Sequence, residues 1–457
     1  MTATRIKDFT QGNISKQLVV FAWPLFLSNL LQVVYNMVDM IVVGQVLGKA
    51  GIAAVSVGGD VSHFLTFIAM GFSSAGQVLI AKLIGGKKSD RIGRFVGTMC
   101  GFLLLCALVL SAGGLLLQNA ILTAMNTPAE SWSGAVGYST VSMLGLVFIY
   151  GYNMVSAILR GMGDSKHPFI FISLAAILNL ILDIVLVVWI PLGATGAALA
   201  TVISQAVSVI CCTVFLVRNK EQFMLNITLR DFVRWDKESL TSLIKLGTPM
   251  AIKSAAIQVS KLFVNSWINS YGVAVSAFAG ISAKVSSVAN LVSMAINNAG
   301  STMVGQNIAA KEFDRVKKIM ATIAYITLTM AVIFSGILWL FPDAIFSVFT
   351  TDAAVMDIVP GYLPIATLLF FGAAMRAIMN ALINGSGNYR INFATAIFDG
   401  IVMRVGLALL FGLALDMRHY GFWLGDALAG FTPFFIGLVF YVSGRWKKEP
   451  GKGAMAR

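Results

Sequence analysis

Charged residues are scarce in this sequence. Only 12% of its 457 residues are Asp, Glu, Lys or Arg, which is about half the share found in soluble globular domains. The hydrophobic share is 58% and the mean hydropathy is +0.83, and apolar runs of roughly 18 residues or more recur along the chain. This composition excludes an ordinary soluble domain and predicts an integral membrane protein that crosses the bilayer many times.

Cysteine and histidine are also rare, with four and three residues. The cysteines lie in apolar runs, and the sequence contains neither a CxxC pair nor a histidine at ligand spacing from them. A phosphate-binding Gly-rich loop, an HExxH motif and a GxSxG motif are all missing. We therefore expect neither an enzyme nor an ATP-driven pump, and no organic cofactor.

The apolar runs divide into twelve predicted transmembrane helices, and the predicted fold is an all-α integral membrane protein built from two six-helix bundles. Two of the breaks between helices are weak, one at Pro191 and Gly193 and the other at Tyr271 and Gly272. The predicted spans are 17–43, 52–81, 95–117, 132–159, 168–189, 196–217, 240–267, 276–305, 319–340, 357–384, 391–413 and 421–443.

Basic residues are concentrated on one side of the predicted membrane. Twenty-six Lys and Arg residues fall in the two termini and the connections on that side, against Lys49 and Arg418 on the other. Because loops rich in Lys and Arg stay in the cytoplasm, we expect a multi-pass protein of a prokaryotic cell membrane with both termini cytoplasmic. The net charge of +13 then reflects topology and contact with lipid headgroups, and no nucleic acid is expected as a partner.

The chain contains an internal repeat with an offset of 224 residues. This offset places AKLIGGKKSDRIGR (81–94) over GQNIAAKEFDRVKK (305–318), and RGMGDSK (160–166) over NGSGNYR (384–390). An even number of helices in each half gives both halves the same orientation, and such parallel repeats are a transporter architecture. The two predicted lobes are residues 1–222 and 223–457.

Several of these features resemble the multidrug and toxic compound extrusion (MATE) family. The resemblance rests on the six-plus-six organisation, on Pro24 fifteen residues before Asp39, on the motif LRGMGDSKHP (159–168), and on the pair Asn179 and Asp183. It covers essentially the whole chain. It implies a cation-coupled antiporter that exports hydrophobic, often cationic, drug-like small molecules by alternating access, and for which a monomer suffices.

The resemblance also implies where the coupling cation binds. In the branch of the family that this chain resembles, a polar cluster in the N-terminal lobe takes H⁺ or Na⁺. The corresponding residues here are Asp39, Asn179, Asp183 and Thr201. Tyr138 and Asn153 would line the same cavity, and Pro24 would mark a bend in the first helix that responds to protonation.

The spacing of these residues supports the cluster independently. Asn179 and Asp183 are four residues apart and so share one helix face. At 1.5 Å per residue, Asp39 lies about 15 Å below the outer end of its helix, Asp183 about 12 Å and Thr201 about 9 Å. Unpaired carboxylates are costly in a membrane and typically mark ion pathways. Oxygen ligands suit Na⁺ and two adjacent carboxylates suit a proton, so both ions remain open; the alternative is a pair of structural aspartates bonded between helices.

The C-terminal half carries basic residues inside its predicted helices. They are Lys253, Lys261, Lys284, Arg376 and Arg404. The other MATE branch has acids on helices 7 and 10, where this chain has basic residues, which argues against a second cation site. Either Asp399 or Asp426, on predicted helices 11 and 12, is expected to be a partner for Arg404. The same basic residues support an alternative function, a flippase for anionic lipid-linked sugars on a related fold.

The repeat yields one more candidate pair. Shifting Asp60 by 224 residues reaches Lys284, so an acid and a base occupy equivalent places in the two halves, each about 14 Å from the outer end of its helix. A partner at the same depth would offset the cost of an isolated charge. We therefore predict that Asp60 and Lys284 pair across the lobe interface when the outer side is closed; the alternative is that each is satisfied within its own lobe.

Overall fold

In the computed structural model, residues 5–225 and 229–448 are described, and almost all of them are helical. The first half contains α1 (Ile14–Gly85), α2 (Ile92–Ala124), α3 (Ala129–Leu144), α4 (Leu146–Gly161), α5 (Lys166–Asp183), α6 (Gly193–Arg218) and the short α7 (Leu229–Val233). The second half contains α8 (Lys237–Asn269), α9 (Val273–Ala309), α10 (Phe313–Leu340), α11 (Pro342–Ser347), α12 (Ala353–Met356), α13 (Val359–Ser386), α14 (Tyr389–Ile397), α15 (Met403–Leu409), α16 (Arg418–Ala429) and α17 (Thr432–Val442). Three π-helical segments continue these helices, at Ile184–Trp189, Phe398–Val402 and Leu410–Ala414.

The predicted twelve-helix architecture is confirmed within the described residues. By length and hydropathy alone, nine helices qualify as membrane spans, and the bent pair α3–α4 makes a tenth. α1 contains two predicted spans, which raises the count to eleven. α8 corresponds to one more predicted span, and its lysines lower its hydropathy below that of the other spans. α14 and α15 with their π-helical segments form the eleventh span, and α16 with α17 forms the twelfth.

One predicted helix is sharply bent. The predicted span 132–159 is broken between α3 and α4, which are bent by 46°. The break lies at Gly145, where an added Cβ would come within 2.2 Å of Val202 Cγ2 on α6. Close packing against α6 therefore requires glycine at this bend.

The 224-residue offset recurs in the backbone. Gly48 interrupts α1 with a φ of +62°, and Gly272 precedes α9 with a φ of +112°, a region that favours glycine. A Cβ on Gly161 would meet the backbone oxygen of Gln77 at 2.8 Å, and one on Gly385 would meet that of Ser301 at the same distance. Both turns and close approaches thus occur at equivalent places in the two halves.

The helices expose apolar side chains and bury polar ones, which is what a bilayer requires of a membrane protein. On α5, Ile177 and Ile181 are 61% and 53% exposed, whereas Asn179 and Asp183 are 3% and 1% exposed. The polar face of α5 therefore points into the bundle, and its apolar face is available to lipid.

The described residues form two compact units. One contains residues 5–8 and 23–247, and the other contains residues 9–22 and 248–448. The first turns of α1 thus belong to one unit and the rest of α1 to the other. The predicted lobe boundary after residue 222 concerns the repeat, and it stays a prediction.

Repeat-equivalent arginines hold the segments that lead into the first helix of each half. In the first unit, Arg91 forms two hydrogen bonds with Glu238 at the start of α8, at 3.2 and 2.5 Å. In the second unit, Arg315 donates to the carbonyl oxygens of Phe9 and Gly12 at 3.0 and 3.1 Å. Each arginine therefore stabilises the chain just before a helix begins or in its first turn.

Candidate functional site

The predicted cation ligands lie within the first unit, on α1, α5 and α6. Asp183 is the last residue of α5 and is 1% exposed, and neither of its carboxylate oxygens accepts a hydrogen bond from any described residue. A buried carboxylate without a partner is costly. A bound proton or cation would remove that cost.

Asn179 and Thr201 lie beside this carboxylate and contact each other. Asn179 Nδ2 lies 3.5 Å from Thr201 Oγ1, and the Thr201 hydroxyl donates to Ala197 O at 3.1 Å. With its hydrogen atom engaged, the Thr201 oxygen keeps a lone pair, and the Asn179 carbonyl oxygen is an acceptor as well. Both residues can thus supply neutral oxygen ligands next to Asp183.

Asp39 contributes the second carboxylate from α1. It is half-buried, and its Oδ1 atom is buried without a hydrogen-bond partner among the described residues. Asp39 and Asp183 lie close enough to interact electrostatically, and Tyr138 lies within electrostatic range of both. Two like charges at short range favour sharing a proton or a cation.

The structure adds Tyr35 to this group. Tyr35 interacts electrostatically with Asp39 and with Tyr138, so its phenol belongs to the same polar interior. It precedes Asp39 by one helical turn, and the i, i+4 rule would have indicated it from the sequence.

The backbone at Asp183 is irregular. The α-helix ends there and continues as a π-helix over Ile184–Trp189. Single π-helical turns occur often at functional sites, because they shift side chains and free backbone carbonyl groups. The repeat places a second π-helix, Leu410–Ala414, in nearly the same position of the other half.

The other predicted N-half residues are placed as follows. Tyr138 is 9% exposed and packs against Gly58, within the polar group just described. Asn153 is half-buried and donates to Ile149 O of its own helix at 2.9 Å, so no described hydrogen bond links it to the cluster. Pro24 lies inside α1, two residues after the change between units, and its carbonyl accepts a hydrogen bond from Ser28 Oγ at 2.8 Å.

Asp60 and Lys284 are both exposed on their own units. Asp60 interacts electrostatically with His63, one turn further along α1. The predicted pairing of Asp60 with Lys284 would join two different units, and it stays a prediction.

The expected partners of Arg404 are confirmed in the second unit. Arg404 is 1% exposed, and its guanidinium donates from Nη2 to Asp399 at 3.2 Å and from Nη1 to Asp426. Both aspartates are therefore committed to one arginine. This half shows no pair of unpaired carboxylates like that of the first half within the described helices.

Twelve membrane-crossing helices in two repeats, with unpaired carboxylates buried at membrane depth, define a membrane transporter. The MatE family model matches residues 24–185 and again residues 249–410. The two matches together cover more than half of the chain, and one falls in each half of the internal repeat. The chain belongs to the MatE family.

Similar proteins extend over the same length. The chain is 29% identical over 446 residues to the probable multidrug resistance protein YoeA of Bacillus subtilis (strain 168), covering 96% of each. It is 24% identical over 440 residues to the probable multidrug resistance protein NorM of Thermotoga maritima, covering 95% of this chain and 94% of that protein.

A solved structure described as the outward-facing conformation of a multidrug resistance MATE family transporter of the MOP superfamily has the same fold. Its TM-score is 0.89 at 21% identity, with 98% of this chain and all of that chain covered. Because MATE proteins are transporters, family membership confirms that this chain is not an enzyme.

Proposed function

We propose that this protein is a cation-coupled antiporter that exports hydrophobic, often cationic, small molecules across the cell membrane. Asp39 and Asp183 exchange H⁺ or Na⁺, and Asn179 and Thr201 complete the ligand set. The observation that carries the proposal is the burial of Asp183 with neither oxygen bonded, next to Asp39. A bound proton or cation would offset the charge of two such carboxylates within electrostatic range of each other.

The substrate class is supported by the relatives and by charge. The proteins named above are described as probable multidrug resistance proteins, and an acidic interior in the first unit suits cationic compounds. The MatE match favours export over a lipid-linked sugar flippase. Arg404 is one of the basic residues that support the flippase alternative, and its positive charge is offset by two carboxylates.

The proposed orientation follows from the basic connections. Arg91 and Arg315 and their basic neighbours lie at equivalent helix ends, which by the distribution of Lys and Arg face the cytoplasm together with both termini. Alternating access would then expose the Asp39–Asp183 pair to one side of the membrane at a time. Release of the cation inside would accompany capture of the substrate.

The proposal is tested with purified protein in liposomes loaded with a fluorescent cationic dye. We expect Asp39→Asn and Asp183→Asn each to reduce gradient-driven dye transport to the level of protein-free liposomes, because neither amide can carry the coupling charge. Asp90→Asn, at an exposed turn between α1 and α2, is the matched control and should transport normally. Near-normal export by either Asp39→Asn or Asp183→Asn would contradict the assignment of these residues as the coupling site.

The coupling ion is identified with the same liposomes, by comparing the ion gradients that drive transport. Transport driven by a pH gradient without sodium indicates H⁺, and transport driven by a sodium gradient at equal pH indicates Na⁺. We expect the pH gradient to drive transport and Na⁺ to compete for the same site, because two carboxylates lie together there.

A further inference from the structure

A basic cluster lies inside the second unit, apart from the cation site. Its members are Lys253, Lys261, Arg376 and Arg404, with Asp399 and Asp426 as the acidic residues among them. Four basic groups face two acidic ones, so the cluster carries a formal excess of two positive charges. An excess of this kind at membrane depth is costly unless an anion offsets it.

The hydrogen bonds show where the excess lies. Both aspartates bond to Arg404, and Lys253 donates to the neutral Asn380 Oδ1 at 2.7 Å. Within residues 5–225 and 229–448, Lys261 and Arg376 donate no hydrogen bond to a protein acceptor, and Arg376 Nε is fully buried without one.

Lys261 and Arg376 line the same cavity. It has a volume of about 30 Å³ and brings together Lys261, Ser286, Asn290, Arg376, Arg404 and Asp426. These side chains offer an ammonium, a hydroxyl, an amide and two guanidinium groups, against one carboxylate that already bonds to Arg404. The space holds about two water molecules, which matches two oxygen atoms of a carboxylate or phosphate group, and it is too small for a whole drug-like molecule.

We propose that this cavity is a binding site for an oxyanion, a carboxylate or a phosphate group, held by Lys261 and Arg376. A guanidinium group matches such an oxyanion with two parallel hydrogen bonds, and the lysine supplies a second positive charge. The oxyanion arrives either as a free inorganic ion or as the headgroup of an anionic amphiphile. The site is separate from Asp39 and Asp183, and it stands whether or not those residues couple transport.

Binding is measured on the purified full-length protein in neutral detergent. Thermal unfolding midpoints are recorded against increasing inorganic phosphate or dodecyl phosphate at constant ionic strength, with dodecanol as the uncharged amphiphile. Ligand that binds only the folded protein raises the midpoint with concentration, which yields an apparent Kd. Stabilisation by phosphate indicates a free ion, and stabilisation by dodecyl phosphate alone indicates an amphiphile headgroup.

Variants separate this site from general charge effects. We expect Lys261→Gln and Arg376→Gln each to weaken binding about tenfold or more, as for loss of a charge-assisted hydrogen bond. Lys261→Arg keeps the charge and should keep most of the affinity. Lys318→Gln and Arg390→Gln, at exposed positions of the same unit, are matched controls and should bind as the unchanged protein does.

Two results would overturn the proposal. One is that neither phosphate nor dodecyl phosphate stabilises the unchanged protein beyond the effect of dodecanol and salt. The other is that Lys261→Gln and Arg376→Gln, if folded, bind with unchanged affinity. If both glutamine variants fail to fold, Asn290→Ala, at a polar residue that lines the same cavity, decides: weaker binding than that of the controls supports the site, and unchanged affinity contradicts it.

Discussion

Two pairs of intramembrane aspartates show how a neighbouring residue decides what an acid does. Asp399 and Asp426 both pair with Arg404, so each has a basic partner within its own unit. Asp39 and Asp183 have no basic residue within hydrogen-bonding distance among the described residues. Their negative charge must therefore be offset by an exchangeable ion. The first pair is therefore suited to structure and the second to ion exchange.

The ionic group of Arg404 leads to a prediction about stability. Arg404→Met leaves two carboxylates buried without a partner, and we expect the free energy of unfolding in mixed micelles to fall by about 3–5 kcal/mol. Adding Asp399→Asn should recover part of that loss, because it removes the fully buried carboxylate that lost its partner and returns the cluster to an excess of two positive charges. Arg390→Met, at an exposed arginine of the same unit, is the control. Equal stability of Arg404→Met and the unchanged protein would show that the group is not structural.

At the scale of whole helices, α1 and α8 are built alike. Each contains one internal proline, Pro24 or Pro249. Each changes from one compact unit to the other two residues before that proline, at 22/23 and at 247/248. A proline lacks one backbone hydrogen bond and permits a bend. Both helices can thus bend where they pass between units.

Only one of these prolines shares its helix with a cation ligand, and this predicts unequal effects. Pro24→Ala should slow dye turnover severalfold while the binding affinity for the dye changes little, because Asp39 lies further along α1 and the bend could couple protonation to cavity shape. Pro249→Ala is the matched comparison, on a helix whose only acid, Glu238, lies in the first turn, and should affect turnover less. Turnover in liposomes and dye binding in detergent are measured for both. Unchanged turnover in Pro24→Ala would remove this proline from the mechanism.

At the scale of the whole molecule, the two halves share backbone features and differ in the sign of the unpaired charged groups inside their helices. Turns, close approaches and π-helices recur at an offset of about 224 residues. The unpaired groups are acidic in the first half and basic in the second. The two halves thus share one helical scaffold and differ in the sign of the ions that they can bind.

The pair Asp60 and Lys284 tests how the halves work together. We expect Asp60→Asn or Lys284→Gln to shift the balance between inward-open and outward-open states, because the predicted attraction between these two residues would be lost. The exchange Asp60→Lys with Lys284→Asp should restore the balance. The measurement is the accessibility of a reporter cysteine from each side of the membrane. Cysteines at 60 and 284 that never cross-link in any transport state would rule the pair out.

The sequence by itself determined the class, the helices and the repeat. Membrane spans depend on hydropathy summed over about 20 neighbouring residues, and the repeat depends on residue order, so neither requires knowledge of distant contacts. The weak breaks at Pro191–Gly193 and Tyr271–Gly272 were correct for the same local reason, since proline and glycine end helices wherever they stand. Asn179 and Asp183 were placed on one face by their spacing alone.

Tertiary structure decided what depends on contacts between helices. The need for glycine at the bend follows from the close approach of Val202 on α6 to Gly145, and the π-helix after Asp183 has no local sequence pattern that distinguishes it from an α-helix. Sequence offered either Asp399 or Asp426 as a partner for Arg404, and only the packed helices show that one arginine takes both. That choice leaves Lys261 and Arg376 without a carboxylate of their own, because a charge is neutralised by what lies within a few ångströms of it in space and not along the chain.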